Sequence, residues 1–241
     1  FPLKVDKTQF GCLPSHSTDS VNPLARLTAA GRFWLLYIAL WVLAMVLLAG
    51  KVMAGDFGAM AIPFEAAHYK ADLTRNARAV AGINAPVSTY AAQIHQESHW
   101  RHDAKSRFAA GLAQFTPDTA RWISGAYPAE LRDSQPLNPG WALRALVRYD
   151  QHLLQRVAGR DACQRMAFAL SAYNGGLGWV QRDKTAAKAA GADPLTWFDS
   201  VERFNAGRAP AYFRENRDYP RRILFQHEPR YVAAGWGLGS C

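Results

Sequence analysis

The sequence predicts a mainly α-helical domain preceded by one transmembrane helix. Two patterns carry that expectation: an uncharged apolar run at residues 33–49, and, from about Ala66 onward, apolar residues three to four apart between turn signals, with no convincing alternation of period two. Composition agrees, since 241 residues that are 49% apolar and 20% charged can bury one core with appendages and exclude a chain disordered throughout. The excess of 28 basic over 19 acidic residues favours polyanionic surfaces without selecting one. Three cysteines with no CxxC pair exclude a disulfide-dense scaffold and offer no thiolate zinc site.

Residues 33–49 read FWLLYIALWVLAMVLLA, bracketed by Arg32 and Lys51, at the short end of what crosses a bilayer; Lys51 can snorkel and bring the span to residues 33–50 or beyond. A cleaved leader ending near Val52-Met53-Ala54 is the competing reading, and the length of chain ahead of the apolar run favours a retained anchor. Lys4, Lys7, Arg26 and Arg32 outnumber Asp6 and Asp19 before it, whereas Lys51 stands against Asp56 and Glu65 after it, so the N-terminus is expected inside the cell. That divides the chain into a mobile cytoplasmic tail (1–32), the span (33–50), a linker and first helix (51–75) and an exported domain with a C-terminal tail (76–241).

In the exported part, Ala66 to Ala81 predicts a helix closed by Gly82 and Pro86. A second runs from Val87 to about Trp100, with Tyr90, Ile94 and Glu97 on one face, where a carboxylate is costly without a reason. Thr116-Pro117-Asp118 reads as an N-cap, a first-turn proline and a first-turn acid, opening a helix through Ile123. Gly140 to Val157 is long and amphipathic, and Cys163 to Tyr173 is apolar and stopped by Asn174-Gly175-Gly176. Shorter helices are expected at Trp179 to Ala190 and Leu195 to Phe204, and a loop from Gly235 to Cys241.

The segment beginning at Glu97 reads ESHWRHDAKSRFAAGLAQFTPDTA, and AYNGG follows at residues 172–176. Glu97-Ser98, then Ala104 and Ser106, then Gly111, Leu112, Gln114, Pro117, Thr119 and Ala120, then Ala172, Tyr173, Asn174 and Gly176, and finally Glu215, Arg217 and Tyr219 form five elements in one order. In that order they resemble the soluble lytic transglycosylase (SLT) domain, a goose-type, lysozyme-like helical fold, over about Asn76 to Leu224. Arg107-Phe108-Ala109-Ala110 departs from the family's usual Gly-Ala step, and Ala113 stands where the family commonly has Met, so the sugar contacts differ more than the chemistry.

Breaking a glycosidic bond requires a protonated acid near the leaving oxygen, and an apolar setting keeps a carboxyl protonated. Glu97 suits that role. Ordinary hydrolysis uses a second carboxylate, for which Asp103 and Asp118 read better as a turn residue and a helix-start charge. The resemblance implies a single-glutamate route: the acetamido group of N-acetylmuramic acid stabilises the cation, and Glu97, now a base, takes the C6 hydroxyl proton to leave a 1,6-anhydro end. It further implies that Gln114, Tyr173, Asn174 and Tyr219 line the cleft, that Ser106 hydrogen-bonds near substrate or glutamate, and that Glu215 is a second buried acid. No metal or cofactor is called for.

Other readings stand beside this one. His95, His99 and His102 have zinc-binding spacing, but Glu97 is badly aimed to serve such a metal, and solvated histidines at a polar helix end are expected. Arg203, Arg208, Arg214, Arg217, Arg221, Arg222 and Arg230, interleaved with aromatics, resemble some nucleic-acid binders; the interspersed acids point instead to a solvated helical or wall-facing surface and no nucleic-acid partner. A hydrolysing muramidase on the same fold, or an inactive anchored wall-binding or lysis factor, are the rival functions. The expected substrate is peptidoglycan, reached from the bacterial inner membrane with the domain in the periplasm, and a small anchored enzyme without wall-binding repeats suits a phage endolysin or a local wall-opening factor. In that oxidising compartment Cys163 and Cys241 can pair and tie the tail to the core, the alternative being a buried free thiol and a loose end.

Overall fold

The computed structural model describes residues 41–43, 45 and 61–241. The chain divides into two units, Phe1–Ala59 and Met60–Cys241, and all the motif residues lie in the second. The expected tail, nearly all of the expected span and the proposed leader site lie outside the described residues; Trp41, Val42, Leu43 and Met45 are helical. Among the described residues no helix is long and apolar enough to cross a membrane.

The second unit is helical, and isolated bridges from Lys105 to Ala110 and from Ala110 to Phe115 are its only β pairing among the described residues. Helices α1 (Ala66–Ala81) and α2 (Val87–Ser98) begin and end almost where turn chemistry places them. Helix α3 (Pro117–Ala126) opens on Thr116, whose hydroxyl accepts from the Thr119 amide, and runs one turn past Ile123. After the single turn α4 (Pro128–Leu131), α5 (Pro139–Leu154) starts on the Asn138 cap and α6 (Ala162–Gly175) on the Asp161 cap. Gly176 at φ 93° ends α6 and leads into α7 (Leu177–Ala189).

The helix expected at Leu195 to Phe204 is reduced to a 3₁₀ turn, Val201–Arg203. Asp193 holds the preceding stretch in a turn instead: its carboxylate accepts from the Leu195 amide and the Thr196 hydroxyl, and its carbonyl accepts from the Ser200 hydroxyl. Conversely, the Arg-rich stretch, read from sequence as a solvated helical or wall-facing surface without bounds, forms α8 (Pro210–Arg221), a π-helical turn (Arg222–His227) and α9 (Glu228–Ala233). Pro220 sits inside α8 without an amide to donate, and the widening to π geometry follows directly.

Helix α6 is the centre of the packing. Met166 to Ala172 are all buried, and α6 packs on α5, α7 and α8, while α1 covers α5 and α2 meets the π turn and α9. The last residues, irregular as expected, are not loose. Glu228, buried on α9, accepts from the amides of Ser240 and Cys241 at 3.0 Å each and from the Thr89 hydroxyl. A Cβ on Gly239 would come within 2.5 Å of that carboxylate, so the grip requires glycine there. The tail end thereby brings the Cys241 sulfur to bonding distance from that of Cys163, with the Cα atoms 4.6 Å apart.

Candidate active site

Glu97 is the penultimate residue of α2, one turn after Ile94 and Gln93, both fully buried. The chain then leaves the helix through His99 and Trp100 at φ 52° and 66°, unusual values for bulky residues. Trp100 sustains this turn by burying its ring, stacking at 5.9 Å on Tyr69 and donating its indole N–H to Tyr231. The consequence is a glutamate at a helix C-terminus, where the last carbonyls oppose a negative charge, opening on a cleft of about 690 Å³.

Around that carboxyl stand aromatic groups, and among the described residues no cation pairs with it. Tyr219, from the end of α8, donates its hydroxyl to Glu97 Oε1. Tyr173, from α6, stacks on Tyr219 with ring planes 9° apart and donates its own hydroxyl to the Ala113 carbonyl at 2.7 Å. Burial pushes the Glu97 carboxyl up to about 8; the Tyr219 hydrogen bond, which favours the anion, opposes that, and the negative charge of Glu215 adds to it. Glu97 is therefore an acid still protonated at neutral pH, yet with a donor already in place to receive the carboxylate when the proton leaves.

The other expected site residues reach the cleft wall with varied tasks. Gln114, at φ 45°, spends its amide inside the loop, donating to the carbonyls of Ala104 at 3.2 Å and Gly111 at 2.9 Å. Gly111 cannot carry a side chain, since its Cβ would overlap the Pro136 carbonyl oxygen at 1.8 Å. Ser106 accepts from the amides of Phe108 and Ala109, so its hydroxyl shapes the turn that holds exposed Phe108 against the cleft. Asn174 accepts from Asn216 at 3.1 Å and faces Glu215 at 3.5 Å.

Glu215 is not the buried second acid that was expected: it is exposed on the cleft wall. The fully buried acid near Glu97 is Asp150 of α5, which the sequence reading passed over. Trp179, Tyr149 and Tyr212 also line the cleft and belonged to no motif. Two further expectations fail on burial. His95 is enclosed, stacked at 4.3 Å on His227 and bonded to the Tyr231 hydroxyl, so it is not solvated; burial lowers its pKa to about 4. Arg208 and Arg217 are buried as well, both on Asp183 Oδ2, at 2.6 and 2.8 Å.

These features define a class: a helical domain with one uncompensated acid at the foot of an open cleft, walled by tyrosines. Residues 77–195 match the family model of the Transglycosylase SLT domain. Over those residues the chain carries the features of an SLT lytic transglycosylase domain. It is similar to proteins called membrane-bound lytic murein transglycosylase F: that of Vibrio cholerae at 33% identity over 129 residues, that of Vibrio parahaemolyticus at 31% and that of Shewanella pealeana at 32% over the same length. The aligned part is 53% of this chain and 23% of the Vibrio proteins, 25% of the Shewanella protein, so the chain spans about a quarter of the relatives it matches.

Proposed function

We propose that the protein is a peptidoglycan lytic transglycosylase that cleaves the β-1,4 bond between N-acetylmuramic acid and N-acetylglucosamine and leaves a 1,6-anhydro end. The observation that carries this reading is the pairing of a Glu97 carboxyl raised to about 8 with a Tyr219 hydroxyl already donating to it. The protonated form gives its proton to the leaving oxygen, and the carboxylate left behind, stabilised by Tyr219, takes the proton of the muramoyl C6 hydroxyl as the ring closes. The acetamido group of the substrate covers the cationic centre between the two steps. The relatives' names, murein transglycosylase, support the same reaction.

Glu215 on the cleft wall is a second carboxylate, which keeps hydrolysis as the alternative outcome. Mass spectrometry of muropeptides released from purified sacculi separates the two: anhydro ends are one water lighter than reducing ends, and a digest containing only reducing ends would replace this reading with a muramidase. The words membrane-bound in the relatives' names support a membrane-associated enzyme; the apolar run at residues 33–50 would be its anchor here, with the domain on the periplasmic side, and the closeness of Cys163 and Cys241 supports a bond between them. Carbonate-resistant association of the full-length chain with membranes tests the anchor, and blocked alkylation of both thiols in the denatured, unreduced protein tests the bond.

A further inference from the structure

Beneath Glu97 lies a carboxyl that the proposed reaction does not use. Asp150, on α5, is fully buried, and among the described residues no ion pair reaches it. Among the described residues its side-chain hydrogen-bond partner is Gln93, also fully buried, whose Nε2 donates to Asp150 Oδ1 at 3.4 Å. Gln93 sits four residues before Glu97 on α2, hence on the same helical face. Among the described residues two atoms of this contact have no hydrogen-bond partner: Asp150 Oδ2 and Gln93 Oε1. Both are acceptors when the acid is ionised, and neither is open to solvent. A single proton on the acid would turn one of these two acceptors into a donor for the other.

We propose that Asp150 is held as a neutral carboxylic acid, joined to Gln93 by reciprocal hydrogen bonds, Nε2–H to Oδ1 and Oδ2–H to Oε1, and that this uncharged pair is a positioning element that seats the Glu97 end of α2 on α5. One proton on Oδ2 satisfies both orphans. The surroundings suit the neutral form. The titratable groups that act on Asp150 or that it acts on are Glu97 and Tyr90 of α2, Tyr149 of α5 itself, Tyr173 of α6 and Tyr219 of α8. None is a cation, and α1, packed on α5, buries only Ala66, Leu73 and Ala77. Burial accordingly holds the Asp150 carboxyl well above the usual range, Glu97 adding to the rise and the Gln93 bond opposing it. A neutral floor leaves Glu97 the only carboxyl that changes charge there, as an acid that must also act as a base requires.

This inference rests on the proposed transglycosylase reading for its role, but its test does not use activity alone. In an E97Q background, infrared spectra at neutral pH are expected to show a protonated-carboxyl band that disappears in E97Q/D150N. A spectrum of E97Q without such a band would overturn the proposal whether or not the double variant folds. Where it folds, its stability relative to E97Q is expected to rise about tenfold per pH unit above the ordinary carboxylate range, because unfolding then releases a proton from Asp150 in one protein and not in the other; a flat difference would also overturn it. Finally, D150N in the otherwise native enzyme is expected to leave the alkaline limb of kcat/KM where it is, since one neutral group replaces another. A limb displaced to lower pH would mean that Asp150 had carried a charge. Loss of activity in E97Q fails or succeeds separately from all three.

Discussion

Two of the places where the domain encloses carboxyl groups surround them in opposite ways. On the cleft floor, Glu97 and Asp150 are enclosed by tyrosines and a glutamine, with no cation among their partners in the described residues. On the wall formed by α7, α8 and the 3₁₀ turn, Asp183 accepts from Arg208, Arg217 and the Ala206 amide, while Glu202 accepts from Arg221 at 2.5 Å. Enclosure without a counter-charge raises a carboxyl until its proton can be traded; enclosure between guanidinium groups fixes the charge and makes it a strut. The floor is thus where chemistry is possible, and the wall is what holds Tyr219 in reach of it, since Arg217 and Tyr219 share α8.

The largest effect that would sharpen this contrast is on the floor. E97Q removes the acid and the base together and is expected to lower muropeptide release by at least about 10³-fold. It is also expected to melt at higher temperature than the wild type at pH 7, with the gap closing toward pH 4. The sign follows from the raised pKa: a carboxyl whose folded value is about 8 supports the fold below its ordinary range, and that support is lost as pH rises toward 8. A folded E97Q enzyme retaining more than a few per cent of activity would remove Glu97 from the reaction.

On the wall, the expected change is in stability. D183N leaves two buried guanidinium groups facing a neutral amide, and breaking a buried pair in this way costs about 3–5 kcal/mol. Urea denaturation at constant pH measures it, and a loss below about 1 kcal/mol would mean that the wall does not depend on its charges.

The same contrast explains what could be read in the sequence. The cap at Thr116, the Pro86 turn and the stops at Gly82 and Gly176 are local chemistry, so α1, α2, α3 and α6 were legible nearly to their ends. Glu97 was legible because an acid on an apolar face demands a reason. Asp150 offered the same signal, one turn from Leu146 and Leu153 in an otherwise apolar stripe, and could have been found by the same argument. Arg208 and Arg217 could not, because their partner Asp183 lies 25 and 34 residues away and only the fold brings it to them. His95 failed for a similar reason, its enclosing ring coming from His227.

A third effect, smaller again, concerns the tail. A bond between Cys163 and Cys241 closes a loop of 78 residues, for which chain entropy gives about 4 kcal/mol as an upper figure. Because Glu228 holds Ser240 and Cys241 independently of the sulfurs, C241S is expected to cost about 2 kcal/mol in urea denaturation of the oxidised protein. It should leave muropeptide release unchanged. Equal stability of the wild type with and without reductant would show that the tail is held by Glu228 alone.

The smallest effect tests the floor most finely, because it depends on two neighbours pulling Glu97 in opposite directions. Tyr219 donates to the carboxylate and so lowers the Glu97 pKa, while the charge of Glu215 raises it. Free enzyme acts through protonated Glu97, so kcat/KM is expected to fall as pH rises through about 8. Y219F withdraws the stabilisation of the anion, so the carboxyl keeps its proton to higher pH and the alkaline limb moves up. E215Q withdraws a repelling charge, so ionisation becomes easier and the limb moves down. Turnover separates the two further: Y219F weakens the carboxylate as a base and lowers kcat, whereas a loss confined to KM in E215Q would place Glu215 with substrate. A pH–rate series on soluble muropeptide strands measures both limbs. Displacements of the same sign in the two variants would contradict the arrangement, for they would mean that the limb reports a change in the cleft as a whole and not the proton on Glu97.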